Sequence, residues 1–264
     1  IIIPPYRTDI MHQVDIAEDI AIAYGYNNLK PEIPQILTVG RPSKTEVLEN
    51  KIRETLIGLG IEEIITFTLT NKKTQTDRMN LNEYKVIEIE NPITEEYNTY
   101  RRWITPQLLD FLSKNKHVSY PQKIFEIGYT ATPTRRGIIT QKNTAIAIAS
   151  SKTTFTEIKE ILIAFTEALE LKIRLERYKH PSFIEGRTAL IKINKDPIGI
   201  IGEIHPTILN RLEIEVPVTA MEITHCEPTY PNSKKKSRTI KDKIRALWIK
   251  EAVSYTHLRA HETP

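Results

Sequence analysis

Two long amphipathic helix patterns stand out in this sequence, and groups of β-branched segments lie between and after them. One helix pattern follows Ser43 and the other follows Thr154. The strand-like segments are residues 61–69, 84–90, 123–132, 144–150, 171–178, 188–193, 197–204 and 218–223. Because the helices separate groups of strands and do not alternate with single strands, the sequence predicts an α+β fold with a mainly antiparallel sheet flanked by helices.

Each long helix has a predicted start and a predicted apolar face. Ser43 with Glu46, and Thr154 with Glu157, match the capping box in which a hydroxyl and a carboxylate satisfy first-turn amides. The apolar faces are Val47, Leu48, Ile52, Leu56 and Leu59 in the first helix and Ile158, Ile161, Leu162, Phe165 and Leu169 in the second. Shorter helices are predicted at residues 106–112 and 206–212, each opening with proline.

The start of the chain has its own organisation. Residues 1–6 are predicted to be the end of a strand, and a helix with apolar residues at Ile16 and Ile20 follows and stops at Gly25. Prolines at positions 31, 34 and 42 then indicate a linker. We therefore expect residues 1–36 to be the C-terminal part of a small α/β domain whose N-terminal portion is missing, and residues 37–227 to be the main core. Residues 228–264 are expected to be a disordered tail, the last dozen of them artefactual.

Composition excludes several classes of protein. The apolar runs are strand-sized, and none approaches the roughly 20 residues that a membrane-spanning helix needs. The chain has one cysteine, Cys226, which excludes an internal disulfide framework and favours a reducing, cytoplasmic location. Residues 234–250 are strongly basic, so an RNA-binding module driven by this stretch stays open as an alternative function.

Four acidic residues near the start are the strongest candidate site. Asp15, Glu18 and Asp19 have the i, i+3, i+4 spacing that places side chains on one helix face, and Asp9 lies just upstream. Carboxylate oxygens without thiolate or imidazole are ligands that suit Mg²⁺. A solvated acidic helix start, favoured by the helix dipole, explains the same spacing. The spacing alone leaves both interpretations open.

Several blocks of residues carry a family resemblance. The longest is the run from Pro4 to Tyr26, which contains all four acids. The others are residues 91–92, 101, 106–109, 121–128, 155–159, 180–187 and 202–206. In this order, the blocks resemble the phenylalanine–tRNA ligase β subunit family of archaeal and eukaryotic type. The resemblance implies a degenerate module like the core of a class II aminoacyl-tRNA synthetase, in a C-terminal fragment that lacks the editing domain.

The resemblance also implies a site and partners. It assigns Asp9, Asp15, Glu18 and Asp19 as ligands of a Mg²⁺ ion shared with an α subunit, in a complex of two α and two β chains that contacts tRNA. ATP would be bound by the α subunit. Active class II cores hold ATP with an arginine in a Phe-Arg-x-Glu segment, where this chain has Phe125-Glu126-Ile127-Gly128. A second arginine position is matched by residues 199–206, which hold an acid and an imidazole.

The expected function is therefore that of a non-catalytic scaffold within a phenylalanine–tRNA ligase. No catalytic residue is predicted in this chain, and the fragment alone is expected to be inactive. The first long helix is expected to serve its own core, with the partner contact as the alternative. An RNA-binding or dimerisation module without a ligase partner, and a free-standing magnesium enzyme, are the rival functions.

Overall fold

The computed structural model describes residues 1–33, 35, 39–81, 85–134 and 137–224. The chain divides into two compact units, Ile1–Pro42 and Ser43–Pro264. The predicted tail (residues 228–264), Cys226 and the basic stretch lie outside the described residues.

The first unit contains helix α1 (Gln13–Tyr24), which ends at Gly25 as predicted, with φ of 91° at that glycine. A 3₁₀ turn, Tyr26–Asn28, follows. The prediction of a strand end over residues 1–6 is wrong, because the chain turns there and the Arg7 N–H donates to the Pro4 carbonyl at 3.0 Å. Pro4 and Pro5 have no N–H to give to a strand partner, so the segment is a poor strand despite its isoleucines.

The second unit is built on a seven-stranded sheet in the order β1-β5-β6-β10-β9-β8-β7. Its strands are β1 (Glu62–Glu63), β5 (Gln122–Thr134), β6 (Gly137–Ala149), β7 (Arg174–Arg177), β8 (Phe183–Ile193), β9 (Asp196–Ile204) and β10 (Val218–Thr224). Every neighbouring pair is antiparallel except β1 with β5. The predicted α+β class is confirmed.

Both faces of this sheet are covered by buried apolar residues. Ala145, Ala147 and Ala149 of β6 belong to one buried cluster, whereas the alternating Ile146 and Ile148 belong to another. Since successive side chains of a strand point to opposite faces, the two clusters lie on opposite sides of the sheet. The alanine side packs against helix α4 (Thr105–Lys114) and helix α6 (Pro206–Arg211), and the isoleucine side against α2 (Lys44–Gly58) and α5 (Phe155–Ala168).

The two long helices follow the predicted periodicity closely. All five apolar residues predicted for the α5 face are buried, and Ile52 and Leu56 of α2 are completely buried. The first long helix therefore contributes to its own core, as predicted. Val47 and Leu59, which begin and end the predicted α2 face, are exposed.

The predicted capping boxes have different outcomes. The Ser43 hydroxyl accepts from the Glu46 N–H at 3.1 Å, which is the hydroxyl half of the predicted box. The prediction for α5 is wrong, because the Thr154 side chain makes no capping hydrogen bond. Glu203 of β9 accepts from the Phe155 N–H at 2.8 Å, and Glu157 pairs with Lys123 at 2.8 Å. A carboxylate distant in sequence has replaced the local cap.

The predicted strand over residues 61–69 is interrupted. Only β1 and the start of β2 (Leu69–Thr70) are strands there, and Ile65 and Phe67 between them are exposed. Strand β2 instead joins a separate three-stranded antiparallel sheet with β4 (Thr99–Tyr100) and β3 (Ile87–Glu88). A short helix, α3 (Lys72–Gln75), follows β2. Because β1 and β2 belong to different sheets, the chain cannot continue as one strand between them.

Candidate functional site

The acidic cluster in the first unit is centred on an arginine. The Arg7 Nη2 lies 2.9 Å from an oxygen of Asp9 and 2.9 Å from an oxygen of Asp19. These hydrogen bonds raise the pKa of Arg7, with the contact to Asp9 as the larger cause, and the contact to Arg7 lowers the pKa of Asp9. Two of the four predicted ligands therefore converge on one positive charge.

The other two predicted ligands are placed differently. The Asp15 Oδ2 accepts from the Met11 N–H at 2.8 Å and from the His12 N–H at 2.7 Å, so Asp15 caps the start of α1. His12 caps the same turn, since its Nδ1 accepts from the Val14 N–H at 3.3 Å. Glu18 is exposed. Among the described residues, no group of three or more His, Cys, Asp or Glu side chains is placed to hold a metal ion.

The donor set nevertheless suits a hard cation. Asp9 and Asp19 already share a guanidinium, which is itself a cation, and the Asp15 Oδ1 accepts none of the hydrogen bonds given above. Oxygen ligands of this kind match Mg²⁺. Arg7 would have to leave both carboxylates before a metal ion could take its place.

A second polar site lies buried in the second unit. The Arg101 Nη1 contacts the Glu126 Oε1 at 2.6 Å, and both side chains are no more than 3% exposed. The guanidinium also donates to the Tyr129 carbonyl at 2.8 Å and to the Thr66 hydroxyl at 3.0 Å. Every one of these partners is an acceptor of this same chain, and the charge of the guanidinium is matched by that of Glu126.

Gly128 makes room for the Arg101 guanidinium. A Cβ at this glycine would lie 2.0 Å from the Arg101 Nη2, which is far inside contact distance. The sequence contains Arg101 and the acid at position 126 in two of the family-like blocks, but it does not indicate that they pair. The two residues are 25 positions apart, and no local spacing indicates their contact.

The two glycines of strand β9 have close neighbours. A Cβ at Gly199 would lie 2.3 Å from the Glu222 carbonyl oxygen, and one at Gly202 would lie 2.8 Å from the Phe183 ring. The Arg187 Nη1 contacts the Glu203 Oε2 at 2.6 Å. His205 caps α6 by accepting from the Thr207 N–H at 3.2 Å.

Comparison with known families covers nearly all of the described chain. The family described as "Phenylalanyl tRNA synthetase beta chain CLM domain" matches residues 29–225. This chain belongs to the phenylalanyl-tRNA synthetase beta chain family. The family described as "tRNA synthetase B5 domain" matches residues 1–26, where the acidic cluster lies. The predicted family is confirmed.

Several curated beta subunits are similar to this chain in sequence. It is 43% identical to the phenylalanine–tRNA ligase beta subunit of Pyrococcus abyssi and 44% identical to that of Pyrococcus horikoshii, each over 83% of this chain and 40% of the relative. The beta subunit of Halorubrum lacusprofundi is 36% identical over the same shares. The chain thus spans about 40% of the length of these curated relatives.

The fold of this chain is similar to that of a solved synthetase structure. A pyrrolysyl tRNA synthetase from Desulfitobacterium hafniense, PylSc, superposes with a TM-score of 0.59 at 15% identity, over 80% of this chain and 76% of that one. At this identity the likeness concerns the fold alone, and it confirms the predicted class II synthetase-like sheet. In the described part of the chain, no helix is long and apolar enough to cross a membrane.

Proposed function

We propose that this chain is a non-catalytic scaffold region of a phenylalanine–tRNA ligase beta subunit. Its partner would be an alpha subunit that binds ATP and phenylalanine, in a complex of two alpha and two beta chains that acts on tRNA in the cytoplasm. Membership of the beta chain family is the observation that carries the proposal. The relatives are named as beta subunits, and this name implies a partner subunit.

The buried site supports the non-catalytic part of the proposal. Adenylate formation develops negative charge at the α-phosphate, and an active site must neutralise it with fixed cations. At the position that the resemblance assigns to such a cation, this chain has Glu126, and the nearby Arg101 is bonded to it. The alanine side of the sheet is covered by α4. Both features favour a structural role for this sheet.

The acidic cluster supports a second part of the proposal. Asp9, Asp15, Glu18 and Asp19 would hold a Mg²⁺ ion together with oxygen ligands of the alpha subunit. The ion would supply positive charge that allows two acidic surfaces to meet. Within this chain, Arg7 pairs with both Asp9 and Asp19, so docking of the alpha subunit would release Arg7 and leave the carboxylates to the metal.

Co-expression with the matching alpha subunit tests the proposal. The tagged chain is expected to retain the alpha subunit through purification, and the chain alone is expected to catalyse no phenylalanine-dependent ATP–pyrophosphate exchange. Restoring the full-length beta subunit should give a complex that charges tRNA with phenylalanine. Exchange activity in the isolated chain, or a failure of the full-length beta subunit to bind the alpha subunit, would overturn the proposal.

The metal assignment needs its own variants. Full-length beta subunit carrying Asp9→Asn with Asp19→Asn should lose magnesium from the purified complex, as measured by elemental analysis. Glu32→Gln in the same unit is a control, because Glu32 is exposed and is not an assigned ligand. Unchanged magnesium content in the double variant would exclude these two carboxylates as ligands.

A further inference from the structure

Glu222 is a buried carboxylate, and the hydrogen-bond donors that it meets among the described residues are all neutral. It lies in β10 on the alanine side of the sheet and is 5% exposed. Its Oε2 accepts from the Thr105 N–H at 2.9 Å and from the Thr105 hydroxyl at 2.8 Å, and its Oε1 accepts from the Asn143 amide at 2.7 Å. The Ile104 N–H lies 3.0 Å from both oxygens.

These contacts satisfy backbone N–H groups at the start of α4. The first turn of a helix leaves backbone N–H groups without partners inside the helix. Here the N–H groups of Ile104 and Thr105 go to Glu222, Pro106 has none, and the Gln107 N–H donates to the Ile104 carbonyl at 2.9 Å. Ile104, the residue before the helix, offers no side-chain cap of its own. A carboxylate more than 100 positions away therefore serves as the cap.

Within the described part of the chain, this carboxylate has no counter-ion. None of the ion pairs among the described residues includes Glu222, whereas Glu126 on the same face has Arg101. The positive end of the α4 dipole and the converging donors stabilise the negative charge instead. Such a ring of neutral donors at a helix start is the kind of site that binds free anions in proteins.

We infer that Ile104, Thr105 and Asn143 form a carboxylate-binding site and that Glu222 is its built-in ligand. The site joins α4 to β6 and β10, and the side chain that fills it prevents an outside anion from reaching this part of the sheet. If the Glu222 side chain is shortened, the same donors should bind a small free carboxylate such as formate or acetate.

The test is a titration of the Glu222→Ala chain with sodium formate, followed by thermal unfolding. Without formate the variant should unfold well below wild type. Formate should raise its midpoint by a few degrees, increasing with the logarithm of concentration as expected for a ligand of the native state. Sodium chloride at equal ionic strength should not reproduce the rise, and acetate, being larger, should act more weakly.

Matched variants exclude a general salt effect. Glu176→Ala removes an exposed carboxylate from strand β7 and should show no specific formate response. Glu222→Gln keeps the volume but places an amide group against the donors, so it should lose stability without gaining a response to formate. If Glu222→Ala is unfolded in plain buffer, the readout is the folded fraction recovered by formate in circular dichroism.

The inference is overturned by a Glu222→Ala chain that responds to formate no more than wild type or Glu176→Ala does, or that stays unfolded in formate. These outcomes are independent of the scaffold function, which is tested with the alpha subunit.

Discussion

Arg101 and Glu126 form an almost completely buried ion pair, with 2.6 Å between Nη1 and Oε1. A buried pair contributes little net stability compared with apolar residues, but the loss of one partner leaves the other charge buried and unpaired. Glu126→Leu should therefore reduce the free energy of unfolding by about 3–5 kcal/mol, as measured by urea titration. The double variant Arg101→Met, Glu126→Leu should cost less than Glu126→Leu alone.

The exposed pair of Lys114 with Asp110 provides the control for that prediction. The Lys114 side chain is 73% exposed, so Lys114→Gln should change the free energy of unfolding by no more than about 1 kcal/mol. A loss in Glu126→Leu that is as small as this would contradict the role of the buried pair.

Gly128→Ala should destabilise the chain, because the new methyl group would occupy the position of the Arg101 guanidinium. The guanidinium cannot move aside without breaking its contacts to Glu126 and the Tyr129 carbonyl. We expect a loss of about 1–3 kcal/mol, typical of overpacking in a core. Gly58→Ala, at the end of α2 with nothing within 4 Å of a new Cβ, should be neutral or stabilising.

Stability should depend on pH through His180. Burial lowers the pKa of His180 to about 4, and aromatic rings of Trp103, Tyr178 and Phe183 surround it. Between about pH 6.5 and 4 the unfolded chain binds a proton at this histidine that the native chain does not, so this contribution is present above about pH 6.5 and is lost as the pH falls towards 4. It amounts to at most about 3 kcal/mol.

The comparison of wild type with His180→Gln isolates this contribution. The free energy of unfolding of the wild type should fall more steeply than that of the variant between about pH 6.5 and 4. Parallel pH profiles of the two proteins would exclude His180 as the source.

Magnesium binding by the isolated chain should be weak, because Arg7 already pairs with Asp9 and Asp19 and would compete with the ion. Arg7→Gln leaves these carboxylates without a cation, so it should raise the affinity for Mg²⁺ in calorimetry. Arg174→Gln, a change at an exposed arginine of β7, is the matched control. Tight binding by the unmodified chain would count against a metal site that is shared with a second subunit.

Local sequence patterns predicted the regular parts of this fold and missed its long-range polar contacts. The five apolar residues of α5 were identified because burial on one helix face repeats every three to four positions. The cap of α5 was not predicted, because the carboxylate that accepts from the Phe155 N–H belongs to Glu203, which lies in strand β9. The site around Glu222 joins residues separated by more than 100 positions, and only the folded sheet brings them together.

In the acidic cluster too, local spacing predicted some features and missed others. Spacing placed Asp15, Glu18 and Asp19 on one helix, but it did not predict that Arg7 bonds to Asp9 and Asp19 or that Asp15 caps the helix. A helix cap and a metal ligand call for the same residue type at the same position, so the sequence could not separate the two roles.

The position of β10 bears on how the sheet is assembled during synthesis. This strand is the last in chain order among the described residues, yet it lies between β6 and β9 and joins the hairpin β5–β6 to the hairpin β8–β9. On the ribosome, the two hairpins must wait with unpaired edges until residues 218–224 emerge. A nascent chain that ends before Val218 should therefore expose two open edges and be prone to aggregate.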